Sequence, residues 1–259
     1  MREIEILYLL IFALGAVIGS FLNVCIHRIP EGKSIISPPS SCQNCSNSIR
    51  FYDNIPIISY LILRGKCRYC KTPISIQYPV VEILSGFFAV ITLYYFGFSI
   101  DSFIYFTFID SLIIIAFIDF KHQIIPDSIS LPGIAIGFVC SFFLNDITPL
   151  DSFAGILIGG GSLFIFLYSY EKIRGIEGMG GGDIKLISML GAFLGWKAVI
   201  VTIFTGSFIG AGIGIIAMLV HKKDTKYAMP FGPFLALGAV IYLFLGNDLV
   251  NWYINFWVE

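Results

Sequence analysis

The stretch IKLISMLGAFLGWKAVIVTIFTGSFIGAGIGIIAMLV, residues Ile184 to Val220, carries only Lys185 and Lys197 as charges. A helix on the surface of a water-soluble domain needs a polar face, and this stretch has none. A hydrocarbon core of roughly 30 Å is crossed by about 20 apolar residues in a helix. The stretch is therefore long enough for two passes, and Gly195-Trp196-Lys197 is the expected turn between them.

Working outward with the same ruler predicts further spans near 4–26, 79–97, 102–119, 129–145, 152–170 and 230–247, in addition to 185–196 and 198–220. Composition agrees. Hydrophobic residues make up 57% of the 259, charged residues 13%, and Phe occurs 25 times; the mean hydropathy is +0.86. A soluble chain of this length would need far more charge on its surface. Uncharged runs this long also exclude a β-barrel, whose strands alternate with period two. The first span lacks a basic n-region and a small-residue cleavage site, so it reads as a retained helix. The expected fold is an all-α polytopic membrane protein of about eight transmembrane helices.

Lysine and arginine orient the bundle. Seven of the sixteen lie between His27 and Tyr78: Arg28, Lys33, Arg50, Arg64, Lys66, Arg68 and Lys71. Lys121, the Lys172/Arg174 pair, Lys185 and the Lys222/Lys223/Lys226 cluster fall at alternate turns on the same side. The opposite turns hold Asp101, Asp146, Asp151 and Asp248, with Lys197 the one base. Eight spans with both termini outside satisfy the positive-inside rule, which points to a cytoplasmic (inner) membrane. A net charge of −1 gives no sign of a nucleic-acid partner. Residues 1–97 read as an N-terminal region with two spans and a hydrophilic insert at 27–78; residues 98–259 read as a second membrane region.

The insert holds two CxxC pairs, Cys42-Gln43-Asn44-Cys45 and Cys67-Arg68-Tyr69-Cys70, with 21 residues between them. Four thiolates from two such pairs suit a closed tetrahedral zinc site. About 50 residues with little apolar content fold poorly unaided, and metal binding supplies the missing free energy. The competing reading is a pair of disulfides or redox motifs, which cytosolic placement disfavours. Cys25 and Cys140 lie within spans and behave as small hydrophobes.

Acids in or at the ends of spans are costly and default to functional hypotheses. They are Glu82, Asp110, Asp119, Asp127 and Asp183. Asp119 ends the third span; Asp183 follows Gly178-Met179-Gly180-Gly181-Gly182 and opens the sixth, at the same membrane face. Two carboxyls held close share a proton, so one acts as base and the other as acid. Gly180, Gly181 and Gly182 leave room for an extended substrate strand beside Asp183. Against this, Asp183 also suits a helix N-terminus, and Asp127 reads as the cap of the fourth span. Asp110 reads as an interhelical hydrogen-bonding group, and Glu82 as a partner for basic residues of the insert.

These residues resemble a known family, the type IV prepilin peptidases, which are bifunctional leader peptidases and N-methyltransferases of the GxGD aspartic peptidase class. Gly180-Gly181-Gly182-Asp183 is similar to the GxGD motif, and Asp119 to Asp127 resembles the segment around the first catalytic aspartate. Gly19-Ser20-Phe21-Leu22-Asn23-Val24, Arg28, Pro30, the tetracysteine insert and Gln77-Tyr78-Pro79-Val80-Val81-Glu82 are similar too. The resemblance spans roughly residues 10–220. It implies Asp119 and Asp183 as catalytic residues facing the cytosol, and prepilin or pseudopilin substrates cut after a glycine. It also implies N-methylation of the new first residue with S-adenosylmethionine as donor, for which Glu82 is a candidate contact and no nucleotide-binding fingerprint is visible. Asp110 belongs to none of these motifs. The rival readings are an ion-coupled transporter, which predicts inverted repeats and acids at the midplane, and a scaffold that docks a partner through the metal insert.

Overall fold

The computed structural model describes residues 2–174, 180–221 and 230–258. Among them there is no strand, only two isolated bridges in the insert, Ser41 with Ser48 and Lys66 with Pro73. The helices are α1 (Arg2–Arg28), α2 (Ile58–Ile62), α3 (Gln77–Phe96), α4 (Ile100–His122), α5 (Asp127–Cys140), α6 (Pro149–Ile156), α7 (Ser162–Arg174), α8 (Gly181–His221) and α9 (Gly232–Val258). A π-helical turn, Leu157–Gly161, joins α6 to α7.

Among the described residues four helices are long and apolar enough to cross a membrane: Ile4–Arg28, Gln77–Phe96, Ile100–His122 and Gly181–Ile216. Three shorter apolar helices, Asp127–Cys140, Pro149–Ile165 and Gly232–Gly246, accompany them. Their outward side chains are large and apolar: Leu9 and Leu14 in α1, Phe103 in α4, Phe204 and Phe208 in α8 are all exposed. Water would not tolerate so much exposed apolar surface, whereas lipid requires it. The protein is thus an all-helical, multi-pass membrane protein.

Several boundaries differ from the sequence reading. The turn expected at Gly195-Trp196-Lys197 is confined to Gly195, whose φ of 80° and ψ of 175° interrupt α8 while Trp196 and Lys197 remain helical. Only glycine takes that conformation cheaply. The span expected at 129–145 ends at Cys140, because the chain turns at Ser141–Phe143. The last helix begins at Gly232 rather than at 230 and continues to Val258. Gly178, Met179, Glu177 and the Lys222/Lys223/Lys226 cluster lie outside the described residues.

The chain divides into two compact units, Met1–Ile114 and Ile115–Glu259, with the division inside α4. In the first unit α1 and α3 pack closely, because small residues face each other. A Cβ on Gly15 would lie 2.7 Å from Ala89 Cβ, and one on Gly19 would lie 2.7 Å from Glu82 Cα. Asn23 ties the ends of the two helices by donating to the Tyr78 carbonyl at 3.0 Å. In the second unit α8 runs through the middle, against α5, α6 and α9. A Cβ on Gly155 would lie 2.4 Å from the Gly191 carbonyl oxygen, so α6 and α8 meet backbone to backbone, as small residues allow in lipid. Gly159 and Gly160 serve the same approach to Ile187 and Ser188. Ser152 donates to the Ala192 carbonyl at 2.7 Å across that contact.

Candidate active site and metal centre

In the second unit, the C-terminal end of α4 and the N-terminal end of α8 converge on one cleft of about 230 Å3. Its lining includes Asp119, Gln123, Asp127, Gly180, Gly182 and Asp183. Asp119 is 5% exposed and its Oδ2 accepts the Gly232 N–H at 2.8 Å. The carboxyls of Asp183 and Asp119 are near enough to interact electrostatically. α4 stops just beyond Asp119 because Gln123 adopts a φ of 55°, with its N–H still bonded to the Asp119 carbonyl at 2.8 Å. That left-handed residue closes the helix and turns the chain along the cleft rather than past it.

α8 opens on Gly181, and the Asp183 N–H donates to the Gly180 carbonyl at 3.0 Å. Asp183 thus occupies the first turn, where a carboxylate suits the helix dipole. The glycines before it leave space: Gly181 has no neighbour within 4 Å of a built Cβ, and Gly180 has only Asp183 Oδ2 at 3.8 Å. Gly182 is different, since a Cβ there would meet Ile125 Cβ at 3.0 Å.

Asp127 does not cap α5. Pro126, in an extended conformation, takes the N-cap position without a side-chain cap bond, and Asp127 is the first helical residue. Its Oδ1 accepts from Lys185 Nζ at 2.7 Å, which ties the starts of α5 and α8 together beside the cleft. Both side chains are well exposed, so this pair is worth at most about 1 kcal/mol. Gly232 escaped the sequence reading altogether. Its signal is Pro230-Phe231-Gly232-Pro233, where two prolines bracket Phe-Gly at a helix start. A Cβ on Gly232 would stand 2.7 Å from Asp119 Oδ2, so no larger residue fits without moving the carboxylate.

Three buried acids lie in the first unit, Glu82, Asp101 and Asp110, and the sequence singled out Glu82 and Asp110. Glu82 is 7% exposed, and its Oε2 accepts the Ile57 N–H at 2.7 Å. Its described partner in the insert is thus a backbone amide, not the expected basic side chain. Asp110 is 5% exposed and faces the Ser85 hydroxyl, yet neither Asp110 Oδ1 nor Ser85 Oγ closes a hydrogen bond.

The four cysteines of the insert meet. The Sγ atoms of Cys42, Cys45, Cys67 and Cys70 all lie within 4.8 Å of one another. The Cys42 to Cys70 separation is 3.8 Å, and a tetrahedron with Zn–S of about 2.3 Å places sulfurs about 3.8 Å apart. Each pair sits in the same local fold. The N–H of Ser46 bonds to the Cys42 carbonyl at 2.9 Å, and that of Lys71 to the Cys67 carbonyl at 3.1 Å. Ser46 and Lys71 both take positive φ, 56° and 60°. Asn44 reaches from the first knuckle to the Thr72 hydroxyl of the second at 2.8 Å. Hydrogen bonds with the Thr72 hydroxyl and backbone lower the Cys70 thiol to about 5 and the Cys45 N–H lowers Cys42, whereas Cys45, among the other three sulfurs, is pushed up to about 11. Arg68 clamps Asp53 through its Nε at 2.8 Å and lies over the Tyr52 ring at 5.5 Å, bracing the second knuckle. Cys25 and Cys140 are free and distant from this cluster in sequence.

Comparison with known proteins agrees with the sequence resemblance. Residues 13–96 match the model of the bacterial peptidase A24 N-terminal domain, and residues 104–215 that of the type IV leader peptidase family. The chain is 33% identical to a Pseudomonas putida protein named prepilin leader peptidase/N-methyltransferase, over 91% of this chain and 90% of that one. Identity is 34% to the protein of that name from Stutzerimonas stutzeri, over 94% and 92%, and 33% to that from Legionella pneumophila, over 97% and 96%. No solved structure matches. Both halves of the chain are matched and the relatives align almost end to end, so the chain belongs to the type IV leader peptidase family.

Proposed function

We propose that this chain is an aspartic endopeptidase of the cytoplasmic membrane that removes the leader of type IV prepilins or pseudopilins after a glycine, and that it N-methylates the residue so exposed. The observation that carries the hydrolytic reading is the cleft that holds Asp119 and Asp183 together, beside open glycines. Nothing in the fold or the comparisons favours a transporter.

The roles we assign start from a hydrogen bond that favours the carboxylate form of Asp119, the Gly232 N–H donated to its Oδ2. Asp119 is the base that takes a proton from the attacking water as the water oxygen bonds to the scissile carbonyl carbon. Asp183 is the acid that gives its proton to the carbonyl oxygen. In the collapse of the resulting gem-diol, the proton gained by Asp119 passes to the leaving amine, and Asp183 recovers its own. Gly180, Gly181 and Gly182 accommodate the extended substrate strand. Lys185 and Asp127 hold the starts of α5 and α8 in register around it.

The eight-pass arrangement, with the insert and the cleft on the cytosolic side, is supported by the basic residues of 27–78. It places the peptidase region in 98–259 and the metal insert in 1–97. The tetracysteine cluster fits zinc by its donors and its sulfur spacing, and we assign the ion a structural role, held by Cys42, Cys45, Cys67 and Cys70. S-adenosylmethionine is the methyl donor implied by the family. Glu82 does not fit an open contact for it, being buried with Oε2 already bonded to Ile57; no residue is assigned to the donor and no step is routed through it.

The test is reconstituted protein with a prepilin, scored by mass spectrometry of the substrate N-terminus. Asp119→Asn and Asp183→Asn each abolish leader removal while leaving the protein inserted. Substantial cleavage by either variant overturns the dyad.

A further inference from the structure

The insert carries a short helix with its polarity reversed. In α2 the residue facing inward is Ser59, 7% exposed, whose hydroxyl accepts from the Ile55 N–H and donates to the Tyr52 carbonyl at 2.9 Å. The residues facing outward are Ile58, Leu61 and Ile62, at 54%, 67% and 71% exposed, with Phe51 at 86% and Ile55 at 44% nearby. A domain bathed in water places such residues the other way round.

α2 is also pinned in height. The Ile57 N–H, immediately before α2, is donated to Glu82 at 2.7 Å. Glu82 lies in the second turn of α3, five residues after Gln77 and so about 7.5 Å along a span that opens on Gln77 and Tyr78. Ile57 takes a φ of 62° to make this bond, a conformation that β-branched residues rarely adopt. Interfacial helices bury their apolar face about 5–10 Å into the boundary between headgroups and acyl chains, and a helix tied to Glu82 starts at that depth. The charge agrees: residues 29–76 hold six basic residues (Lys33, Arg50, Arg64, Lys66, Arg68 and Lys71) against two acids, Glu31 and Asp53.

We propose that the Phe51–Ile62 segment is a membrane-interface element, docked by Ile58, Leu61 and Ile62 into the anionic bilayer that the protein spans, with Glu82 as the latch that sets its depth. The insert is then a platform lying on the membrane beside α1 and α3, not a free cytosolic domain. This uses only the membrane setting and does not depend on the peptidase reading.

The experiment uses full-length protein in vesicles of phosphatidylcholine with phosphatidylglycerol, in a background with Trp196→Phe, Trp252→Phe and Trp257→Phe. Single reporters are Leu61→Trp, Ile62→Trp and, as an aqueous control, Asn47→Trp, at an exposed polar position of the first knuckle. Lipids brominated on the upper acyl carbons lower the emission of Leu61→Trp and Ile62→Trp by about twofold or more and leave Asn47→Trp unchanged. Acrylamide in the water shows the reverse order. Adding Glu82→Ala, which removes the acceptor of the Ile57 N–H, weakens bromolipid quenching at both α2 reporters. Quenching of the α2 reporters by acrylamide as strongly as the control, with none by bromolipid, overturns the proposal. Shielding from both quenchers overturns it too, because the occupant is then protein, such as a second copy of the chain. Should the tryptophan-free background fail to insert, the same comparison is made with the native tryptophans present, reading the difference with and without each reporter.

Discussion

Replacing Gly232 by alanine presses directly on Asp119. The new Cβ would stand 2.7 Å from Asp119 Oδ2, 3.1 Å from Cγ and 3.3 Å from Cβ, so the side chain cannot rotate away from all three contacts. Ordinary contact needs about 3.5 Å, so the carboxylate or the start of α9 must shift by about 0.8 Å. A displacement of about 1 Å in a catalytic group costs about 100-fold. We expect kcat for prepilin cleavage to fall 10- to 100-fold, about 1.4 to 2.7 kcal/mol in the barrier. Folding should suffer less, because Gly232 opens α9 without a positive φ, and alanine there reduces the freedom of the unfolded chain by about 0.4–1 kcal/mol, which offsets part of the strain. The assay is single-turnover cleavage of a prepilin in detergent or vesicles, with thermal unfolding measured alongside. Cleavage within about twofold of the parent, in a protein that unfolds at the same temperature, would refute the claim that Gly232 positions the Asp119 carboxylate for catalysis.

Purified protein should carry one zinc, and Cys42→Ser or Cys67→Ser should lose it and lower the unfolding temperature, with leader cleavage falling only as far as folding does; metal analysis of reduced protein checks this. Zinc release should increase as the pH falls, because protons compete with the ion for the four thiolates; a chromophoric chelator follows the release. Asp127→Asn should weaken the Lys185 pair and slow cleavage less than tenfold, far short of the dyad variants, because both side chains are exposed and the pair contributes at most about 1 kcal/mol; kcat and unfolding temperature measured together decide it.

The membrane class was readable from the chain alone. Runs such as Ile184–Val220 exceed what a water-facing helix tolerates, and length against hydrocarbon thickness is a one-dimensional argument. The cysteine spacing predicted the metal cluster for a similar reason. Each CxxC knuckle is local, so only the meeting of the two pairs was left to the fold. Gly180 to Asp183 and Asp119 to Asp127 announced themselves by type and order, but composition says nothing of which carboxylate oxygen is occupied.

That was decided by contacts between residues far apart in the chain. Gly232 donates to Asp119 across 113 positions, and no local pattern around either residue encodes the bond. Asp127 read as a cap because caps are local, yet its carboxylate found Lys185, 58 residues on, while Pro126 took the cap position. Glu82 read as a partner for basic side chains because charge pairs with charge on paper. In the folded chain it accepts a backbone amide from Ile57, since a buried carboxylate takes whichever donor packing delivers. Sequence determined which residues had to be in lipid and which could bind metal, because burial and chelation follow from residue type and spacing. Tertiary structure alone decided which polar atoms met, because hydrogen bonds are set by positions to within tenths of an ångström, and only packing sets those.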